Sequence, residues 1–292
     1  MQIPTINFNH KKSNQAEVEI FELESLYKQV DHEDSPQKLH RITFFMWVYI
    51  EHGYGSHIVD FKEYAFNPGS IIFVRREQVQ AFDFSLMPGG KVIVFTQAFL
   101  DKLHSNMRLP NYTPTHLSQS RSPVIQLDKA TDISAKRLID EAIKEISHNN
   151  ADPLIVMYLF SSFSLMLHRL RPEERHDKLS QKQSVMLARF FDLLQSHYEH
   201  DRDANSYASK IGTTYKTLNQ VCKLATDITI KQMIDAFVII EMKRRLVISN
   251  VTTQQLAYDF SFEDASNFVK YFKNQTKMTP TQFQKQFIKL EL

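Results

Sequence analysis

Phe260-Ser-Phe-Glu-Asp-Ala-Ser-Asn-Phe-Val-Lys-Tyr-Phe-Lys273, followed by Met278-Thr-Pro-Thr-Gln-Phe283, decides the reading of the C-terminal half. An acidic residue caps a short helix in which Ala265, Phe268 and Phe272 fall at i, i+3 and i+7, one apolar stripe. Ser266, Asn267, Lys270 and Lys273 are left on the opposite side. A small helix anchored by phenylalanines, with hydrogen bonders and cations facing outward, is what a reader of the major groove needs. The same pattern alone also fits an ordinary amphipathic surface helix. A second copy upstream favours the groove reader.

Ala257 is followed four residues later by Ser261, then by Phe268 and Phe272; Ala208 is followed four residues later by Gly212, then by Leu218 and Cys222. Lys273 and Lys223 each follow the last apolar anchor, and the later copy has one extra residue in its turn. Each copy reads as helix, tight turn, helix. Alanine at the crossing allows close approach, and Gly212 suits the turn. In the earlier copy Leu218, Val221 and Cys222 form the buried stripe, leaving Lys216, Thr217, Asn219, Gln220 and Lys223 pointing elsewhere. Two such units on one chain can place recognition helices in successive major grooves, roughly 34 Å apart.

These residues resemble the AraC/XylS family of bacterial transcription regulators over about residues 185–287. The resemblance is carried by Tyr207-Ala208, Leu218, Glu241-Met-Lys-Arg-Arg-Leu246, Leu256-Ala257, Phe262-Glu-Asp-Ala-Ser-Asn-Phe268, Phe272-Lys273 and Thr279-Pro280, in the family's order and spacing. Three departures stand out. Ser261 and Lys277 occupy positions where the family usually has glycine, and Gln284 occupies one where it often has arginine. Each bears on a turn or a phosphate contact; none removes a core anchor. The resemblance implies a linker helix containing Arg244 and Arg245, one of them facing solvent or phosphate and the other near a usually apolar slot.

Composition agrees with two domains: 292 residues, 42% hydrophobic. Glycine is scarce, at 6, and neither GxGxxG nor GxxxxGK[ST] occurs, which disfavours a nucleotide-binding loop. Net charge is only +2, but from residue 181 onward there are 15 Lys+Arg against 11 Asp+Glu. That mild polarity suits a protein whose DNA affinity depends on base contacts and dimerisation more than on bulk electrostatics. The single cysteine, Cys222, sits on a core stripe and fits a reducing cytoplasm. Residues 1–15 are polar, so no signal peptide is expected, and the apolar run Leu154–Leu167 is too short for a membrane span.

Short apolar segments fill residues 17–96. Expected strands are Val18–Leu23, Ile42–Ile50, His57–Phe66, Ser70–Val74, Val79–Phe84 and Lys91–Phe95, separated by Gly53-Tyr-Gly55, Asn67-Pro-Gly69 and Pro88-Gly-Gly90. This reads as a sandwich or small barrel. The order of segments around Gly53–Asp60 and Asn67–Phe73 looks like the cupin-type sensor domain of many AraC-like regulators. Arg41, Phe45, Trp47 and Tyr49 are expected on one face of a strand. Arg41, Phe45, Trp47, His57 and Gln80 are the candidate effector-binding residues. The His/Glu cluster of a metal-dependent cupin is missing: His57 is flanked by Gly55 and Val59, Gln80 stands at the later position, and Glu63 is unsupported. No metal, cofactor or catalytic residue is expected.

Residues 129–170 read as two helices, the second beginning at the Asp152-Pro153 cap. That second helix is apolar nearly all round; one side is expected to pack within the chain and the other, marked by Leu159 and Met166, to meet a second subunit, the alternative being a core helix buried wholly within the chain. The expected fold is therefore α+β in two domains. Residues 1–172 form a cupin-like barrel with two following helices, 173–182 a linker, and 183–292 an all-α domain with two helix-turn-helix units. The expected function is a cytoplasmic, sequence-specific transcription regulator, a homodimer on promoter DNA, modulated by a small-molecule effector, with RNA polymerase as a further partner. The DNA-contact candidates are Lys216, Thr217, Asn219, Gln220, Lys223, Ser266, Asn267, Lys270 and Lys273. The alternative is a small-molecule-binding cupin enzyme carrying a helical adaptor.

Overall fold

The computed structural model describes residues 3–8, 17–29, 35–107, 122–170, 179–248 and 251–288. The chain divides into two units, one drawn from Pro4–Arg108 and Ser122–Pro172, the other containing Glu173–Leu292. The fold class is α+β.

The N-terminal unit contains two five-stranded sheets. In the first, the order is β1 (Thr5–Ile6), β3 (His40–Ile42), β8 (Val79–Phe82), β5 (Gly55–Val59), β6 (Lys62–Phe66); in the second it is β10 (Val124–Gln126), β7 (Ser70–Val74), β4 (Phe45–His52), β9 (Gly89–Phe95), β2 (Val18–Glu22). Every pair is antiparallel except β1 with β3. Among the described residues the sheets do not join into a closed barrel. They pack face to face instead, as in a sandwich.

The central strand β4 explains why its sequence is apolar on both faces. Met46, Val48 and Ile50 enter the core between the sheets, with Ile42, Val59, Phe66, Ile72, Phe82 and Val92. Phe45, Trp47 and Tyr49 face the other way. They pack under three helices, α1 (Gln97–Met107), α2 (Lys129–Ser147) and α3 (Pro153–Arg169), against residues such as Phe99, Ile139, Phe160 and Phe163. Tyr49 adds a polar tie, donating its hydroxyl to Asp132 Oδ1 at 2.7 Å. The two helices begin as their caps dictate: the Asp128 carboxylate accepts from the amides of Ala130 and Thr131, and Asp152 accepts from Leu154 with Pro153 in the first turn.

Two strand expectations are corrected. Ile42–Ile50 is not one strand: the chain passes from the first sheet to the second at Thr43-Phe44, so Arg41 lies in a different sheet from Phe45, Trp47 and Tyr49. His57–Phe66 is a hairpin, with Val59 paired to Lys62 across Asp60-Phe61, whose φ values are 49° and 68°. That left-handed pair is the geometry of a two-residue hairpin turn, built here without glycine. Asp60 is held from outside: its carboxylate accepts from Gln78 Nε2 at 2.7 Å and its amide donates to the Val79 carbonyl at 2.7 Å. Elements not anticipated from sequence are β1, β10, α1 and a 3-10 helix over Leu23–Gln29.

The C-terminal unit is helical: α4 (Gln181–His197), α5 (Ala204–Ile211), α6 (Tyr215–Thr226), α7 (Ile230–Ile248), α8 (Thr253–Asp259), α9 (Ala265–Thr276) and α10 (Pro280–Ile288). Most of the expected linker lies outside the described residues. Its final residues belong to α4, where Ser180 and Gln183 form a capping box.

Candidate nucleic-acid interface

Two helix-turn-helix units, α5–α6 and α8–α9, flank the long helix α7. Their hydrogen bonds repeat residue for residue. In the first turn the Thr213 amide donates to the Ala208 carbonyl at 2.9 Å; in the second the Phe262 amide donates to the Ala257 carbonyl at 2.8 Å. The turn residue is left-handed in both, Gly212 at φ 78° and Ser261 at φ 53°. Next come the caps. Thr214 Oγ1 accepts from the Thr217 amide, and Asp264 Oδ1 from the Asn267 amide. The reading helices end alike, at Asp227 and Lys277, both left-handed, whose amides donate to the carbonyls of Lys223 and Lys273. The following helices start alike as well, on capping boxes of Thr229 with Gln232 and Thr279 with Gln282.

The second helix of each unit buries one face. Leu218, Val221, Cys222 and Ala225 are buried on α6, and Phe268 and Phe272 on α9. Burial pushes the Cys222 thiol up to about 12, so it behaves as a packed apolar group rather than a reactive thiol. The Phe268 ring lies 5.5 Å from Phe262 and 6.1 Å from Phe272, and Phe272 lies 5.7 Å from Phe283.

The opposite faces carry the candidate readers. Lys216, Thr217, Gln220 and Lys223 are exposed on α6, and Ser266, Asn267, Lys270 and Lys273 on α9. Offset by fifty residues, the two sets occupy the same helical positions. None of these four lysines has an ion pair among the described residues, whereas Lys210 is tied to Asp201 and Lys231 to Asp235. Two of the polar candidates also serve the fold: Thr217 Oγ1 meets Thr214 Oγ1 at 2.9 Å, and Asn267 Nδ2 donates to Asp264 at 3.1 Å.

Asn219 also serves the fold. It is half-buried, and its Oδ1 accepts from the Ile230 amide at 3.1 Å, capping the start of α7. Its counterpart fifty residues on is Val269, also half-buried. Both linker-helix arginines are paired, Arg244 buried and Arg245 half-exposed. Arg244 is buried and pairs with Glu241, and Arg245 pairs with Glu199 and lies 3.7 Å from Asp259. Gln284 also faces the fold, its amide donating to the Leu246 carbonyl at 2.9 Å and satisfying the end of α7.

The effector candidates do not converge. Phe45 and Trp47 lie beneath the helices, the Trp47 ring 5.0 Å from Phe95 and 5.7 Å from Phe163. Arg41 donates to Thr5 Oγ1 and pairs with Glu77 at 3.0 Å. His57 and Gln80 do meet: Nε2 lies 3.0 Å from Gln80 Oε1 in the buried first sheet. Burial, with His40 nearby, lowers His57 to about 3 despite the Gln80 hydrogen bond, so the ring is neutral. Its Nδ1 has no hydrogen-bond partner. Among the described residues, no group of three His, Cys, Asp or Glu is placed to hold a metal. No helix among them is long and apolar enough to cross a membrane.

The family model described as a helix-turn-helix domain matches residues 207–286, a span that begins in α5 and ends in α10. Residues 207–286 are an AraC-family helix-turn-helix domain. The chain is also similar to the HTH-type transcriptional activator RhaS of Escherichia coli O81 (strain ED1a), 21% identical over 254 residues, covering 82% of this chain and 85% of that protein. Among solved structures it is similar to ToxT from Vibrio cholerae O395, with TM-score 0.44 and 14% identity over 94% of this chain and 97% of that one. An AraC-type regulator from Chromobacterium violaceum aligns with 36% of this chain and 95% of its own, with TM-score 0.33 and 14% identity. The AraC-type domain makes the protein a DNA-binding transcription regulator.

Proposed function

We propose that α6 and α9 read successive major grooves of promoter DNA. The observation that carries this is the matched pair of exposed faces, each on its own buried anchors and in the same helical register. Gln220, Thr217, Ser266, Asn267 and Lys270 are placed at base edges; an amide pairs well with adenine and a lysine with guanine acceptors. Lys216, Lys223 and Lys273 are assigned to phosphates. Asn219 is left out, since its carbonyl oxygen is engaged by Ile230. The protein acts with the chromosome in the cytoplasm, and RNA polymerase is its further partner. No catalytic role is assigned to any residue. Selecting a duplex from a random pool with the full-length protein and footprinting it tests the proposal. Two protected major-groove segments about 10 bp apart are expected. A single segment would refute two-groove reading.

A second copy of the chain is proposed as the partner of α3. Leu154, Ile155, Tyr158 and Leu165 are exposed on this helix, Tyr158 at 59%. This stripe replaces the one expected from sequence, because Leu159 packs against the core beneath and Met166 is half-buried. Tyr158→Glu with Leu165→Glu should give a folded monomer by sedimentation; a dimer would place the interface elsewhere. A small-molecule effector is assigned to the neighbourhood of His57 and Gln80, because a neutral imidazole with an unpartnered Nδ1 suits a polar donor such as a hydroxyl. A ligand that raises the melting temperature equally in wild type and His57→Leu would move the site away.

A further inference from the structure

The connection between α4 and α5, Glu199-His-Asp-Arg-Asp203, touches both helix-turn-helix units. Asp201 grips the first. Its backbone carbonyl accepts from the Tyr207 hydroxyl at 2.9 Å, and its carboxylate accepts from Ser206 Oγ and, at 2.8 Å, from Lys210 Nζ. Arg202 grips the second. Its guanidinium donates to the Phe260 carbonyl and, at 3.3 Å, to the Ser261 carbonyl, and lies 4.0 Å from the Phe262 ring centroid. His200 Nδ1 meets Ser261 Oγ at 2.8 Å. Glu199 pairs with Arg245 of α7, whose guanidinium lies 5.2 Å from the Phe260 ring centroid.

The chemistry at Arg202 is directional. Phe260 and Ser261 follow the last residue of α8, where helix carbonyls lack intrahelical partners and a cation is favoured. A planar fork can address two successive carbonyls while stacking on an aromatic face; an ammonium is a point charge and cannot reproduce that geometry. The bonds fall on the turn whose left-handed residue is a serine. One pentapeptide therefore holds α5 at one end and the turn before α9 at the other.

We propose that Glu199–Asp203 is a staple that fixes the spacing and angle between α6 and α9, with Arg202 as its positioning residue. The inference rests on the two-groove reading above. Its consequence is a DNA preference that no base-contacting residue can produce: the protein selects the helical phase between two half-boxes. Adding one base pair moves a half-box by roughly 3.4 Å and rotates it by roughly 35°.

The test uses full-length protein and the selected duplex, with one or two base pairs inserted or deleted between the footprinted segments. Wild type should lose about tenfold or more in affinity on each altered duplex. Arg202→Ala should bind the original duplex more weakly and lose its spacing preference to within about threefold, while both segments remain protected on it. A role in stability alone would weaken all duplexes by the same factor and keep the preference, which would overturn the proposal. If Arg202→Ala does not fold by circular dichroism, Arg202→Lys decides by the same two outcomes, since it keeps the charge without the fork. A wild-type footprint of one segment would refute the two-groove reading and the staple together.

Discussion

The two helix-turn-helix units solve one geometric problem in two ways. Both need a left-handed residue four positions after the alanine at the crossing. The first unit uses Gly212, where an added Cβ would meet nothing within 4 Å. Glycine is needed there for its backbone conformation, not for space. The second unit uses Ser261 and surrounds it with partners: Oγ is taken by His200 and the carbonyl by Arg202. The cores differ in the same spirit, with aliphatic side chains and a thiol beneath α6 and linked aromatic rings beneath α9. A repeat can therefore keep its backbone while moving the burden of a turn from one residue to its neighbours.

The largest expected effect separates the cores. Phe268→Ala should destabilise the second unit by about 3–5 kcal/mol, and Leu218→Ala the first by about 2–5 kcal/mol. Thermal unfolding followed by circular dichroism measures both; full stability of the Phe268 variant would contradict its place as an anchor. An intermediate effect compares the faces. Gln220→Ala and Lys270→Ala should each change specific binding by about 1–3 kcal/mol, at base pairs about one DNA turn apart. Loss of preference at the same base pairs in both variants would break the parallel between α6 and α9. The smallest effect compares the turns. Lys277→Gly should raise stability by about 1 kcal/mol, since a left-handed side-chain residue is strained and Lys277 Nζ reaches only the Asn274 carbonyl. Ser261→Gly should gain less because it forfeits the His200 contact, and Gly212→Ala should lose about 1–2 kcal/mol. Denaturant midpoints would rank the three, and a stabilising Gly212→Ala would overturn the account of the turns.

Much of this arrangement was legible in the sequence because its causes are local. Anchors at i, i+3 and i+7, the alanine-to-turn spacing and the Asp152-Pro153 cap each act within a few residues. The two capping boxes, Thr229 with Gln232 and Thr279 with Gln282, are equally local signals, each spanning only four residues. Other features depend on residues distant in the chain. The cap that Asn219 gives to α7 is not legible, because helix periodicity says nothing about the amide of Ile230, eleven residues on. From sequence Arg41 reads as sharing a strand with Phe45, because no glycine or proline marks the crossing at Thr43-Phe44. The hairpin at Asp60-Phe61 is hidden for the same reason: no glycine marks its turn, and Asp60 is held there by Gln78 and Val79, which are distant in the chain. The sequence leaves open which of Arg244 and Arg245 faces outward, because the partner of Arg245, Glu199, lies 46 residues away.

The Arg202 fork also bears on how the C-terminal unit comes together in time. Contacts inside each helix-turn-helix close short loops, whereas the bond from Arg202 to the Phe260 carbonyl joins residues 58 apart. Closing the longer loop costs more chain entropy, so the fork belongs among the last contacts made on folding and the first released. Interactions absent from the folding barrier leave the folding rate almost untouched and govern how quickly the native state comes apart. Removing the fork is therefore expected to quicken unfolding of the helical unit more than it slows folding, which stopped-flow rates on Arg202→Ala would measure. Under the two-groove proposal, the lifetime of the folded unit is an upper limit on how long α6 and α9 keep the register that two grooves demand.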